Sequence, residues 1–375
     1  MEIVTNENFG KSEPSLMRMM RSWDPMEICD FHQTIGNVKT PLIHLPQLAK
    51  NLGINNILVK DESCRFGLNS FKPLGASYAM KKQIKNNPNI ETFCTATDGN
   101  HGRSVAWMAR KLKKKSIIYV PSGTTESRIK AIKEEGAKVE IVNDSYDMTV
   151  KKARLRCEEE NQRIGEIAWS LVQDTSWDGY TEIPLDIMKG YWTQIHEITN
   201  QIRDYDVDII FLQTGVGSWA ASIVSYIMIY WKNPPIVISV EPLSANCLFQ
   251  SIKKGSRVSV NNKKNTIMAG LDCGTVSLMA WPMLRNYIRQ SISISDRFTK
   301  KAMNVLANPS LKDHAIVAGE SGAAGLAGLL ALYEMKNNKK IKKNKILSPS
   351  TTVLLINTEG ATDPINYNII IGSED

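Results

Sequence analysis

Lys72 lies in the run Asn69-Ser70-Phe71-Lys72-Pro73-Leu74-Gly75. Pro73 suits the first turn of a helix, where its missing N–H costs nothing. That puts Lys72 at a helix N-terminus, whose dipole disfavours an ammonium and favours the free amine. A lysine so placed can attack a carbonyl and form an imine. A lone lysine is by default a solvated surface residue, so this one needs partners. Three further segments offer them. Thr95-Ala96-Thr97-Asp98-Gly99-Asn100-His101-Gly102 carries one acid, Asp98, able to act as a base. Its Asn100 has both a donor and an acceptor for a phenolate or carboxylate oxygen. The same letters also make an ordinary turn that caps the next helix, with His101 packing nearby. In Thr214-Gly215-Val216-Gly217-Ser218, backbone N–H groups, a helix N-terminus and a hydroxyl can cup an anion. With Ala220 and Glu241 this segment also approaches a dinucleotide fingerprint, so that ligand stays open for this loop, as does a plain structural turn. Asn357-Thr358-Glu359-Gly360 places a neutral hydroxyl where it can meet a ring nitrogen, or where it simply caps a turn. An amine, a phosphate cradle, an oxygen contact and a ring-nitrogen contact together suit one phosphorylated aromatic aldehyde.

The elements that must position these groups alternate between strand and helix. Strands are predicted at Asn56 to Lys60, Thr92 to Ala96, Ile117 to Val120, Lys138 to Val142 and Val207 to Gln213. IVISVEP, SISIS and TTVLLINTEG are three more β-branched runs. Helices are predicted to begin near Phe71 and Asn100, and to run from Thr125 to Glu135 before the stop at Gly136. Strands separated by helices give an α/β class with a mostly parallel sheet, whose ligands gather at the carboxyl ends of the strands. All four chemical segments fall at such ends or at helix starts. The rhythm is best met by an inserted α/β domain over 86–195, with 1–85 and 196–375 forming a larger one.

The 375 residues, 42% hydrophobic and 22% charged, suit a soluble globular protein with a sizeable core. The most apolar stretch, Trp219 to Trp231, is shorter than the roughly 20 residues a membrane helix needs. Nor do the first twenty residues hold an apolar run of signal-peptide length, so a cytoplasmic protein with no membrane partner is expected. The net charge of +8 comes with short lysine runs, Lys111 to Lys115 and the Asn/Lys tract from Lys336 to Lys345. Without interleaved aromatics these read as solvated loops, not as a nucleic-acid surface. The six cysteines have no metal-ligand spacing and are expected to be free thiols, with a Cys247–Cys273 pair left open.

The segments SFKPLGASYA, TATDGNHG, TGVGSWA and GESGAAGLAG resemble those of fold-type II pyridoxal-phosphate enzymes, the tryptophan-synthase-β and threonine-dehydratase group. More narrowly, RFGLNSFKPLGASYA, TATDGNHGRSVAW, QDTSWDGYTEIP, TIMAGLDCG and TEGATD resemble the ammonia-lyases of that group that act on 2,3-diaminopropionate. The matching segments run from Arg65 to Asp363. The resemblance implies two open, mostly parallel twisted sheets flanked by helices, with pyridoxal 5′-phosphate between the domains. It makes Lys72 the Schiff-base lysine and gives the phosphate to Gly215, Val216, Gly217 and Ser218. Asn100 is set against the ring hydroxyl oxygen, Thr358 or its neighbour against the ring nitrogen, and Glu320 near the cofactor. Asn357 stands where the group has a serine, and Pro73 is also a departure. Asp98 takes the place of the dehydratases' serine, which implies loss of an amine instead of a hydroxyl. Lys72 and Asp98, as bases on opposite faces, imply a small amino-acid substrate used as both D and L forms. Asp174 is the second carboxylate for the substrate amine, or a turn residue. A homodimer is the family's expected assembly. A serine or threonine dehydratase, or an anion-binding α/β protein without catalysis, are the alternatives.

Overall fold

In the computed structural model the strand–helix rhythm resolves into two sheets. The structure describes residues 1–11, 14–97, 99–202, 206–261, 265–310, 312–337 and 346–372; Asp98 and residues 338–345 of the Asn/Lys tract lie outside them. The strands are β1 (Glu2–Thr5), β2 (Leu42–His44), β3 (Asn56–Asp61), β4 (Thr92–Ala96), β5 (Lys115–Pro121), β6 (Lys138–Val142), β7 (Trp169–Leu171), β8 (Ile209–Gln213), β9 (Ile236–Pro242), β10 (Gln290–Ile294) and β11 (Thr352–Asn357). A seven-stranded sheet runs β1-β10-β9-β8-β11-β3-β2, and a four-stranded sheet runs β6-β5-β4-β7. The small sheet is parallel throughout. The large one is parallel except at its edges, where β1 and β2 pair antiparallel. These two edge strands and β7 have three or four residues each, too few to show a periodic pattern in the sequence.

Strands β8 and β11 are buried along their whole length, which is why they read as unbroken apolar runs. Their alternate residues feed two separate cores. Ile210, Leu212, Leu354 and Ile356 pack on one side of the sheet. Ile209, Phe211, Val353 and Leu355 pack on the other. The helix Lys72–Asn86 crosses the helix Glu182–Gly190 at very close range. A Cβ at Gly190 would lie 2.3 Å from the Leu74 carbonyl oxygen, and one at Gly75 would lie 2.6 Å from the Tyr191 ring. Small residues on both helices therefore fix where Lys72 starts its helix. No helix of the described residues is long and apolar enough to cross a membrane.

Beneath the approach to Lys72 lies a buried ionic network. Lys60 Nζ is 2.7 Å from Glu197, and Arg65 spans Glu62 at 2.7 Å and Glu197 at 2.8 Å, with none of these side chains more than 8% exposed. It ties the end of β3 and the chain leading to Lys72 onto the helix Trp192–Gln201. Burial would raise the Glu197 carboxyl, but the hydrogen-bonded Arg65, together with Lys60, holds it down at about 2. Removing one partner from such a network strands the others without compensation. Glu197→Ala is therefore expected to destabilise the protein by about 3–5 kcal/mol, read as a fall in the denaturant midpoint. Because the folded-state pKa lies below the unfolded value of about 4.3, this contribution is present above that pH and is lost as pH falls towards the folded value.

Candidate active site

A cavity with about 960 Å³ of space free of atoms, part of it open to solvent, lies at the carboxyl ends of strands from both sheets. Lys72, Asn100, Asp174, Gly215, Val216, Gly217, Ser218 and Thr358 all line it. Lys72 and Thr358, 286 residues apart in the sequence, are thus brought to one place. The first and fourth are zipped together directly. Phe71 N donates to Thr358 O at 3.1 Å, Gly360 N donates to Asn69 O at 2.9 Å, and Ser70 bridges Glu359 antiparallel.

Lys72 opens its helix as expected, and its ammonium hydrogen-bonds the Asp174 carboxylate. Burial works to raise Asp174, yet the Lys72 ammonium beside it prevails and the carboxyl sits at about 2, ionised at any ordinary pH. Ser218 Oγ donates to Asp174 O at 2.6 Å, which anchors the end of β7 to the glycine turn. The proton of that hydroxyl is thereby engaged, and the backbone N–H groups of the turn remain as the anion's donors. The turn itself demands glycine. Gly217 has φ +90°, and a Cβ on Gly215 would lie 2.9 Å from the Gly270 carbonyl oxygen. The helix Ser218–Tyr230 follows at once, adding its N-terminal dipole.

The dinucleotide alternative is removed by Glu241. Its carboxylate accepts from Leu248 N at 2.8 Å and Phe249 N at 2.6 Å and is fully buried, so it caps the helix Cys247–Lys254 and cannot reach a ribose. Asn357 also turns away, donating to Asp61 at 2.8 Å and to Val317 O at 3.0 Å. Thr358 is left as the residue of that segment with a hydroxyl in the cavity.

Glu320 is not among the residues that line the Lys72 cavity. It lines an adjoining polar cavity, hydrogen-bonded by Asn366 and 4.0 Å from Arg128. In this tight turn neighbouring side chains diverge. Ser321 faces the Lys72 cavity instead, and its N–H donates to Glu359 at 3.0 Å. Asp98 lies outside the described residues, though Thr97 and Gly99 on either side both line the cavity. All six cysteines are separate thiols, Cys247 and Cys273 included.

Residues that sequence reasoning passed over complete the site. The other carboxylate oxygen of Glu359 is hydrogen-bonded by Asn100 Nδ2. Gln213 Nε2 donates to Ile356 O at 2.8 Å and to Thr358 Oγ1 at 3.0 Å. With its oxygen already accepting there, the Thr358 hydroxyl is free to point its own proton elsewhere. His101, Tyr191 and Gln213 each present a buried polar atom with no hydrogen-bond partner among the described residues. Buried polar groups normally have partners, so three such atoms around one cavity mark the place of a polar ligand. The signals for Glu359 and Gln213 were in view, since Glu359 lies within one segment already singled out and Gln213 adjoins another. Tyr191 had none, because it enters the site through helix packing alone.

The family model described as "Pyridoxal-phosphate dependent enzyme" matches residues 34–358. The diaminopropionate ammonia-lyase of Escherichia coli (strain K12) is 40% identical over 98% of this chain and 93% of its own. That of Salmonella typhimurium is 39% identical over 92% of this chain and 91% of its own. The crystal structure of the E. coli ammonia-lyase in complex with an aminoacrylate–PLP azomethine reaction intermediate superposes with a TM-score of 0.90 at 37% identity, covering 99% of this chain and 96% of that one.

Proposed function

The chain belongs to the pyridoxal-phosphate-dependent enzymes and, within them, to the diaminopropionate ammonia-lyases, and from that premise we infer that it eliminates ammonia from 2,3-diaminopropionate. It is a carbon–nitrogen lyase whose products are pyruvate and ammonia. The observation that carries this reading is the meeting of Lys72, Asp174 and the Gly215–Ser218 turn in one cavity. The residues fit the cofactor. A glycine cradle that a Cβ would fill suits a phosphate, and the orphaned polar atoms of Tyr191 and Gln213 suit a ring with heteroatoms on its edges.

When bound, pyridoxal phosphate supplies the electron sink for the pair left at the substrate's Cα. The chain supplies the rest. Lys72 would hold the cofactor covalently and, once released, serve as a base for the Cα proton. The N–H groups of residues 215–218 would hold the phosphate. Asn100, now paired with Glu359, would turn to the ring oxygen. Thr358, oriented by Gln213, would donate to the ring nitrogen. Asp174, buried and ionised, suits the substrate's second ammonium. Asp98 would be the base on the opposite face, so that both enantiomers are used. The 2-aminoacrylate released is hydrolysed by water to pyruvate and a second ammonia. A homodimer in the cytoplasm completes the reading, supported by the family resemblance and by six separate thiols that suit a reducing compartment.

Purified holoenzyme is expected to show an imine absorbance that borohydride removes, and to release pyruvate faster from diaminopropionate than from serine or threonine. Absence of the band would sink the cofactor reading. Preference for serine or threonine would sink the substrate reading.

A further inference from the structure

His101 sits in the first turn of the helix Asn100–Lys111, only 4% exposed, among the residues that line the cavity. Its Nε2 is 2.7 Å from the carbonyl oxygen of Val172. A carbonyl only accepts, so Nε2 carries the ring proton. Burial lowers the ring's pKa and keeps it neutral. Nδ1 is therefore a bare lone pair, buried, without a partner among the described residues, and 4.0 Å from Asp174 Oδ2.

Two acceptors that face each other at this distance call for a donor with more than one N–H. Asp174 already receives an ammonium here, that of Lys72. Once Lys72 is engaged elsewhere, the same position suits a second ammonium. We propose that His101 Nδ1 and Asp174 Oδ2 together seat the β-ammonium of the substrate, which makes His101 a specificity-determining residue. This rests on the ammonia-lyase reading above. An ammonium brings three N–H donors and satisfies both acceptors. The hydroxyl of serine brings one donor and leaves a buried acceptor unpaired, a loss that discriminates strongly between otherwise similar ligands. The chemistry balances without a proton from His101. The Cα proton goes to the base, the Cα–H pair becomes the Cα–Cβ π bond, and the Cβ–N pair leaves with the nitrogen, turning the ammonium into NH₃.

His101→Gln keeps an N–H for Val172 O and removes the Nδ1 acceptor. In holoenzyme with an intact imine band, the kcat/KM for diaminopropionate relative to serine is expected to fall roughly tenfold or more. Serine is followed as an alternative substrate or, without turnover, as a competitive inhibitor. Equal losses on both, or no loss on diaminopropionate, would mean that His101 only packs and would overturn the proposal. Wild-type holoenzyme inert toward diaminopropionate would instead remove the lyase reading beneath it. Should the variant not fold, ¹⁵N spectra of histidine-labelled wild-type holoenzyme decide. They should show His101 neutral with a bare Nδ1, and a proton on Nδ1 overturns the assignment.

Discussion

Lys72→Ala is expected to abolish the borohydride-sensitive absorbance and to lower pyruvate release from diaminopropionate by roughly 10⁴-fold or more, since a base alone is worth about 10²–10⁴. The substitution removes the covalent anchor and that base together. It also strips Asp174 of the ammonium that keeps it ionised in a buried position, so the carboxyl rises from about 2. Lys72→Arg separates these effects. A guanidinium still balances Asp174 but cannot form an imine, and its fork geometry differs from a point ammonium. Comparable inactivation in both variants assigns the loss to the amine chemistry. Substantial recovery in the arginine variant would assign it to the charge. The check combines absorbance spectra, mass analysis after borohydride trapping and pyruvate release. A trapped cofactor adduct in Lys72→Ala would overturn the assignment of Lys72.

The depth to which this site was readable in the sequence varies with how local each signal is. Strand β4 and the start of the Asn100 helix are legible because β-branched residues and a glycine turn act within a few positions. The glycine turn after β8 is legible for the same reason, as a single backbone conformation dictates its letters. The edge strands β1 and β2 are not, because their few residues take strand form only through neighbours hundreds of positions away or across a short antiparallel pair. The same distinction governs the side chains. Pro73 places Lys72 at a helix start, but the lysine stands out only in company with the other three segments, whereas Asp174 is explained by its buried ion pair across 102 residues. Glu320 shows the limit of a local signal. It belongs to a segment with a strong resemblance, yet one step along a tight turn decides which cavity a side chain enters, and Ser321, not Glu320, lines the cavity that holds Lys72.

Asp98→Asn is expected to cost roughly 10²–10⁴-fold in kcat/KM on one enantiomer of diaminopropionate and much less on the other. The chain order places Asp98 between Thr97 and Gly99, which both line the cavity. A carboxylate there can act in two ways. As a charge it would balance the substrate's ammonium for either enantiomer. As a base it would reach the Cα proton from one face only, while Lys72 serves the other. The two roles make different demands of the variant, because asparagine keeps the shape and loses both charge and basicity. Loss of charge alone raises KM for D and L forms alike. Loss of a base lowers kcat for a single form and removes the acidic limb of its pH profile. Parallel kinetics on the two enantiomers therefore separate the roles, and equal losses on both would reduce Asp98 to an electrostatic contact. An asymmetric loss would make Lys72 the base of the surviving reaction, and adding Lys72→Ala to the asparagine variant should then extinguish that activity as well.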